Sequence, residues 1–223
     1  YYGLVFAQRS DPPDRQLSQA ANAILSAQDS DHFVACAAQV GQALWSDDKK
    51  NLQALDKQYG SLASHEVAEK IAIGNARRAQ LKHYSGAMFY YAGEWYWGVD
   101  RLYHLETRLA ELNADSQLGQ PLIAPRPETP AGPLRDNGTL TLEFFPTLRS
   151  PYSSIVFDRT VALAKATRVA LVLRPVLPMV MRGVPTTAIK GPYIFWDTGR
   201  EARVAGVPLS LIHISEPTRH RSI

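Results

Sequence analysis

A cluster of prolines divides this chain into two parts that must fold on either side of it. Five prolines, Pro121, Pro125, Pro127, Pro130 and Pro133, fall within a short stretch of the sequence. Proline lacks the amide hydrogen that helices and sheets need, and its ring clashes with the preceding helical turn. Residues 114–138 are therefore predicted to be a linker without regular structure, between a first piece at 1–113 and a second at 139–208.

The composition is that of a folded protein with a real apolar core. The chain has 223 residues, of which 45% are hydrophobic, enough for one large domain or two small ones. The net charge of +3 is too small to indicate a nucleic-acid partner or an anionic membrane surface. No apolar run is long enough to span a membrane, so no membrane partner is expected. The single cysteine fits a reducing compartment, and the expected location is cytoplasmic.

Before the linker, the pattern changes from helical to β-like. Residues 16–82 repeat apolar side chains at helical spacing, and Ser64 is predicted to be the N-cap of the last helix there. Residues 87–97 are rich in aromatic side chains around an Ala-Gly pair, which predicts a β-hairpin. An amphipathic helix is predicted over 102–112, with Asp100 placed to cap its start.

After the linker, the sequence predicts a strand, a helix and a second strand. Residues 139–145 read as a strand, 151–167 as a helix, and 168–173 as a strand buried on both faces. Such a unit forms a parallel strand pair with a right-handed crossover. The expected fold class is therefore α/β.

Cys36 lies in an apolar helical stretch at residues 33–38. As the one cysteine of the chain, it forms neither an internal disulfide nor a CxxC redox pair. A small buried hydrophobic side chain is the favoured interpretation, and a reactive thiol is the alternative.

Residues 209–223 are predicted to be a non-native tail. Leu209 to Arg219 read LSLIHISEPTR, which matches the translation of a transposase-type sequencing adapter. Such a tail is not expected to pack into a core, and it is left out of the fold prediction. A genuine polar tail is the alternative.

Ser150 is the first candidate for chemistry. Pro151 favours the first helical position, which places Ser150 at the N-cap of the helix that follows. There its hydroxyl lies beside free backbone N–H groups and the positive end of the helix dipole, which stabilise an anion or a thiolate. The alternative is that Ser150 only caps the helix.

The residues around Ser150 resemble a known family. The segment LTLEFFPTLRSPYSSIVFDRTVALAKA, with the later IKGPYI and REARVAGVP, resembles the first half of the 2-hydroxychromene-2-carboxylate isomerase and kappa-class glutathione transferase group. This group has a DsbA-like thioredoxin fold. The resemblance implies glutathione as cofactor, with Ser150 bonding its sulfur and Ser153 at the second position of the CxxC motif. Lys190 corresponds to a lysine that lines the glutathione or substrate site, or else is an exposed loop lysine. The sequence departs from the family just before it, where residues 184–187 lack an asparagine.

The segment at residues 85–102 resembles the closing block of the same family. The resemblance gives Asp100 the role of binding the γ-glutamyl end of glutathione, with a plain helix cap as the alternative. Ala87 stands where the family has a cis-proline, a departure that affects the shape of the pocket. Helical residues 16–82 correspond to an all-helical insertion within the thioredoxin-like fold.

The two matching pieces come in the reverse of their order in one domain, so a fragment of a tandem protein is expected. The prediction for the fold is a circularly permuted assembly. In it, residues 139–145 and 168–173 form one mixed sheet with hairpin 87–97, and Ser150 faces Ala87 across a cleft.

The function implied by the resemblance is a glutathione-dependent isomerase or transferase acting on a small unsaturated aromatic substrate. In the family mechanism a glutathione thiolate adds to the substrate, the adduct rotates, and the thiol is eliminated. A DsbA-like thiol oxidoreductase is one alternative, disfavoured by the absence of CxxC. A non-catalytic binding module, with Ala87 marking a degenerate site, is the other. The assembly of the intact protein as a homodimer is left open.

Overall fold

The structure is a computed structural model that describes residues 13–127, 132–184 and 187–209. It has two compact units, one ending at Lys82 and the other beginning at His83. The described residues form helices and two small sheets, so the α/β class holds at this coarse level. None of the described helices is both long enough and apolar enough to cross a membrane.

The first unit is built from four helices. They are α1 (Arg15–Ala27), α2 (Ser30–Trp45), α3 (Lys49–Tyr59) and α4 (Ser64–Gln80). Each of the first three begins after an aspartate, Asp14, Asp29 or Asp48, whose carboxylate accepts a backbone N–H of the first turn at 2.8–3.0 Å. These caps satisfy helix donors that have no partner within the helix, which fixes where the helices start.

The core of the first unit lies between α1, α2 and α3. Its buried side chains are Leu17, Ala21, Ile24, Cys36, Val40, Ala43, Leu52 and Leu55. Cys36 is fully buried, which confirms it as a small core side chain, and burial raises the pKa of its thiol. A buried thiol of this kind is inert.

Helix α4 begins differently from the prediction. Ala63, not Ser64, occupies the N-cap position, so Ser64 as the cap is wrong. Ser64 is already the first helical residue, and the Ala63 side chain has no acceptor to offer. The Glu66 carboxylate instead accepts the Ala63 N–H at 2.8 Å, which satisfies the backbone at the start of α4.

The second unit opens with the predicted hairpin. Strands β1 (Met88–Tyr91) and β2 (Glu94–Trp97) pair in antiparallel register, with Tyr91 opposite Glu94. Ala92 and Gly93 both have positive φ, 48° and 86°. Positive φ at both turn positions is the requirement of a two-residue type I′ turn, so the Ala-Gly pair sets the register.

A 3₁₀ turn (Val99–Arg101) leads from the hairpin into α5 (Leu102–Glu111). Asp100 lies inside this turn, and α5 has no side-chain cap, so the prediction that Asp100 caps the helix is wrong. The reason is geometric: the 3₁₀ turn shifts the N-cap position to Arg101, whose side chain is a donor and cannot accept the helix N–H groups.

The predicted strand–helix–strand unit is present. Strands β3 (Thr141–Phe144) and β4 (Ala170–Leu173) pair in parallel, and α6 (Pro151–Thr167) connects them. The prediction that the second strand is buried on both faces is wrong: the end residues of β4 are exposed and the middle two are half-buried, because β4 is an edge strand of a two-stranded sheet. After a short 3₁₀ segment, helix α7 (Lys190–Ala205) follows. The described residues of the linker, 114–127 and 132–138, contain neither helix nor strand.

The two strand pairs are separate sheets, so the prediction of one mixed sheet is wrong. Tyr90 and Trp95 are the second pair from the turn and hence a non-hydrogen-bonded pair, which turns the Trp95 carbonyl to the outer edge of β2. Arg200 of α7 donates to that carbonyl at 2.6 Å, and its guanidinium lies over the Tyr96 ring. A helix side chain therefore takes the edge position that a third strand would need.

Candidate functional site

Helix α7 carries two buried carboxylates, Asp197 and Glu201. Their side chains are only 2% and 11% exposed. Because they are four residues apart, they lie on the same face of the helix, one turn from each other. Charged side chains are rarely buried unless paired, so the groups around these two carboxylates define the interior of the second unit.

Asp197 receives hydrogen bonds on both oxygens. Arg101 binds it through two nitrogens, with Nε 2.8 Å from Oδ1 and Nη2 3.1 Å from Oδ2. The Tyr152 hydroxyl donates to Oδ2 at 2.7 Å, and the Tyr193 hydroxyl donates to Oδ1 at 3.3 Å. The arrangement combines a two-pronged arginine–carboxylate pair, the strongest type of ion pair in proteins, with two phenol donors.

Glu201 is held by a different set of donors. The Tyr103 hydroxyl donates to Oε1, His104 Nε2 lies 3.0 Å from the same oxygen, and Arg126 Nη2 lies 2.9 Å from Oε2. Burial by itself would raise the pKa of Glu201. The hydrogen bonds from His104 and Tyr103 and the charges of Arg101 and Arg126 outweigh it and lower the pKa to about 2.

Arg126 belongs to the proline-rich segment, which is therefore attached to the second unit. Its guanidinium also lies over the Tyr103 ring, 5.7 Å from the centroid. The Glu106 carboxylate of α5 accepts the N–H groups of Ile123 and Ala124 at 2.6 and 2.8 Å. Residues 123–126, called here the strap, are thus held against α5 and Glu201.

The electrostatics of this cluster determine the protonation states of Tyr152 and Arg101. Burial raises the pKa of Tyr152, and the charge of Asp197 raises it further. Burial would lower the pKa of Arg101, but Asp197 and Glu201 outweigh that effect and raise it. Tyr152 thus remains a donor and Arg101 remains charged at neutral pH, so these two side chains hold their elements in place around Asp197.

Residues 147–153, called here the Ser150 loop, lie at the start of α6, as predicted. Ser150 is the N-cap, and its hydroxyl accepts the Ser153 N–H at a long 3.5 Å. Ser153 Oγ accepts the Thr147 N–H at 3.2 Å, and the Ser150 N–H donates to the Thr147 carbonyl at 3.1 Å. The Thr147 hydroxyl is buried and has no hydrogen-bond partner among the described residues. The loop therefore has unused hydrogen-bonding capacity next to a positive helix end.

Two of the predicted site residues lie apart from the serines. The Asp100 carboxylate is 78% exposed, and its nearest cation is Arg101 at 4.0 Å. Lys190 is the first residue of α7 and is partly exposed. Within the described ranges, no hydrogen bond or ion pair joins Asp100 or Lys190 to Ser150 or Ser153. Of the four predicted site residues, only the two serines contact each other.

The elements that carry these residues nevertheless meet. Arg101 is the neighbour of Asp100, Tyr152 lies between Ser150 and Ser153, and both side chains bind the one carboxylate of Asp197. Lys190 lies seven residues before Asp197 on α7, about 10 Å along the helix axis. Asp197 therefore connects all three segments that carry the predicted site.

Ala87, which the resemblance predicts to occupy the position of a cis-proline, has φ of +53°. The described residues contain no cis peptide bond. The Ala87 carbonyl accepts the Gly98 N–H at 3.0 Å and so closes the base of the hairpin. The departure at residues 184–187 and the predicted tail at 209–223 lie mostly outside the described residues, which include only 184, 187 and 209 of them.

Sequence reasoning missed Asp197, Glu201 and Arg126. The one sequence signal that could have identified Asp197 and Glu201 is their spacing: together with Tyr193 they form a row of polar side chains at every fourth residue of α7. Periodicity alone assigns such a row to the solvent face. Only the positions of the partners on α5, α6 and the strap show that the row is buried.

Comparisons with known proteins leave the site to be judged on its own geometry. No family model, no curated protein and no solved structure matches the chain. The described residues also hold no cluster of three or more histidine, cysteine or acidic side chains that would bind a metal ion. The candidate site therefore consists of the Ser150 loop and the elements that Asp197 joins to it.

Proposed function

We propose that this chain is a glutathione-binding protein of the isomerase and kappa-class transferase type, with thioredoxin-like halves and an unsaturated aromatic substrate. The observation that carries the proposal is the double contact of Asp197 with Arg101 and Tyr152. The Asp-Arg segment and the Ser-Pro-Tyr-Ser segment are about 50 residues apart in the sequence. Their meeting at one buried carboxylate is what a shared binding site requires.

The residues present fit glutathione chemically. A thiolate suits the N-terminal end of α6, where Ser150 has a long, weak bond and the buried Thr147 hydroxyl is unpaired. The exposed carboxylate of Asp100 suits the ammonium group of the γ-glutamyl end. The ammonium of Lys190 suits a carboxylate of glutathione or of the substrate. When bound, glutathione would supply a thiolate nucleophile.

The chain's own residues would then bind and orient. The Ser150 hydroxyl donates its hydrogen to the sulfur, and the free N–H groups of the first turn of α6 favour the ionised form. Ser153 holds the loop by accepting the Thr147 N–H. Tyr152 is committed to Asp197, so we assign it a positioning role rather than proton transfer. A dithiol mechanism needs two cysteines, whereas this chain has only Cys36, which is fully buried.

A non-catalytic binding module is the second candidate. The observation in its favour is Ala87, where a left-handed alanine replaces the residue that shapes the family's pocket. A protein with this departure would retain the Ser150 loop and the Asp197 cluster without turning over a substrate. The two candidates differ in whether the bound thiol is activated.

Isothermal titration of glutathione into the 223-residue chain tests the proposal. We expect Ser150→Ala to weaken binding about tenfold, since it removes a hydrogen bond to a charged group. The pKa of the bound thiol, followed by ultraviolet absorbance of the thiolate, should rise in the same variant. Ser150→Ala should lower the free energy of unfolding by only about 0.5–1 kcal/mol, the low end for the loss of an N-cap, because the capping hydrogen bond is long.

Ser154→Ala is the matched control, because Ser154 is the next serine of the same helix turn and is exposed. It should change neither affinity nor the thiol pKa. Equal effects of the two variants would leave Ser150 as a helix cap alone. A wild-type chain that shows no heat of binding with glutathione would end the proposal, and binding without a lowered thiol pKa would favour the non-catalytic module.

A further inference from the structure

Asp197 is buried between three segments and has no counterpart among the residues predicted from the sequence. We propose that Asp197 is a positioning residue that couples the Ser150 loop to the Asp100 turn, and thereby sets the affinity for glutathione. The glutathione part of this inference rests on the proposed function. The coupling part stands on the geometry of α7 and its partners.

The coupling arises because one oxygen serves both segments. Oδ2 of Asp197 accepts from the Tyr152 hydroxyl at 2.7 Å and from Arg101 Nη2 at 3.1 Å. A displacement of either donor changes the position or the charge density of the oxygen that the other donor uses. Since the carboxylate is almost fully buried, water cannot replace a lost donor there.

Each of the two donors to Asp197, Tyr152 and Arg101, lies next to a predicted site residue. On one side, Tyr152 lies in the first turn of α6, directly beside the N-cap Ser150 and the loop residue Ser153. On the other side, Arg101 Nη1 donates to the Asp100 carbonyl at 3.3 Å and lies 4.0 Å from the Asp100 carboxylate. Asp197 thus sets the positions of Ser150, which would bind the sulfur of glutathione, and of Asp100, which would bind its γ-glutamyl end.

Glu201 provides the internal comparison. It lies one turn further along α7, is buried to a similar degree, and is also paired with arginine. Its hydrogen-bond donors are on α5 and the strap, and it also lies 3.6 Å from Arg101 Nε, but none of its partners is in the Ser150 loop. A purely structural role predicts the same effects for both carboxylates, whereas the coupling role predicts different ones.

Hydrogen exchange of the whole chain, with and without glutathione, tests the coupling. In Asp197→Asn we expect the amides of residues 152–154 and of 101–103 to exchange about tenfold faster relative to the interior of α6. Glutathione should bind about tenfold more weakly to this variant. Glu201→Gln should loosen residues 103–104 and the strap, leave the exchange of residues 152–154 unchanged relative to the interior of α6, and keep the affinity within about twofold.

If Asp197→Asn does not fold, Tyr152→Phe provides a milder variant for the same test, because this substitution removes only one hydroxyl. It should speed exchange at residues 101–103, a segment to which Tyr152 is linked through the hydrogen bonds that both side chains make to Asp197. Loosening of residues 152–154 alone, or equal loosening at every amide, would overturn the coupling. Loosening of both segments in a chain that binds no glutathione would support the coupling and overturn the proposed function.

Discussion

The carboxylate of Glu201 shows how a single residue can make the stability of this protein depend on pH. Taking an ionised carboxylate out of water is costly unless donors replace the lost hydration. Here a phenol, an imidazole and two guanidinium groups surround it. They hold the pKa at about 2, well below the ordinary value of 4.5. A group with a lowered pKa stabilises the folded state above its unfolded pKa and stops doing so as the pH falls through its folded pKa.

Glu201→Gln should therefore destabilise the second unit in a pH-dependent way. At pH 7 we expect a loss of about 3 kcal/mol, the linkage energy of a shift of this size. The difference from the wild type should shrink as the pH falls from about 4.5 toward 2, because the wild-type carboxylate becomes protonated there. Urea denaturation at a series of pH values measures both quantities.

Glu111→Gln is the control for this substitution. Glu111 pairs with Arg108 at 3.1 Å on the surface, with more than half of its side chain exposed. Such pairs contribute little, so the change should stay below about 0.5 kcal/mol at every pH of the series. A difference between Glu201→Gln and the wild type that stays constant down to pH 2 would contradict the assignment of the low pKa to Glu201.

Two residues whose role depends on local sequence were predicted correctly, although Ser64 and Asp100 as helix caps were not. Residues whose role depends on distant partners could not be predicted. Ser150 was identified as an N-cap because Pro151 follows it, and Cys36 as a core residue because its helix is apolar. Asp197 could not be identified, because its partners Arg101 and Tyr152 come from other elements. Ser150, Ser153, Lys190 and Asp100 remain predictions as binding residues.

At the scale of elements, the hairpin turn is both predictable and strained. Ala92 has φ of 48°, a left-handed conformation that costs an alanine about 1 kcal/mol. Asparagine tolerates this conformation far better and is preferred at that position of type I′ turns. Ala92→Asn should therefore stabilise the hairpin by about 0.5–1 kcal/mol, measured as slower exchange of the amides of β1 and β2.

Ala92→Val tests the same backbone strain, but this substitution should destabilise the hairpin. A β-branched side chain is least tolerant of positive φ, so this variant should speed exchange in both strands. Gly93→Ala should do the same, because Gly93 has φ of 86°. If valine and asparagine at position 92 gave equal stability, the turn would not have the conformation described.

The elements themselves follow from local patterns, but their assembly does not. Alternation and turn residues predicted β1, β2, β3, β4 and α6 close to their observed bounds. Which strand edges pair depends on what else can satisfy the outward carbonyls. Arg200 satisfies the Trp95 carbonyl, and that contact joins residues more than a hundred positions apart. No local signal indicates it, and the mixed-sheet prediction was wrong for this reason.

At the scale of the whole molecule, the second unit is made from two chain segments that the proline-rich segment connects. Side chains before the linker, among them Arg101, Tyr103 and His104, bind carboxylates that lie after it. Arg126 does the same from within the strap. These contacts, and not the continuity of the backbone at 132–135, should hold the two segments together.

Cutting the chain in the linker tests this view of the second unit. A protease site introduced at residues 132–135 is accessible, since Leu134 is 86% exposed. After cleavage we expect the two fragments to elute together in size-exclusion chromatography, because the buried ion pairs and the side chains packed around them remain intact. The double variant Asp197→Asn/Glu201→Gln removes both buried charges and leaves Arg101 and Arg126 without their partners, a loss of several kcal/mol. Its fragments should separate after the same cut. Separation of the wild-type fragments would mean that the linker backbone, and not the α7 carboxylates, holds this unit together.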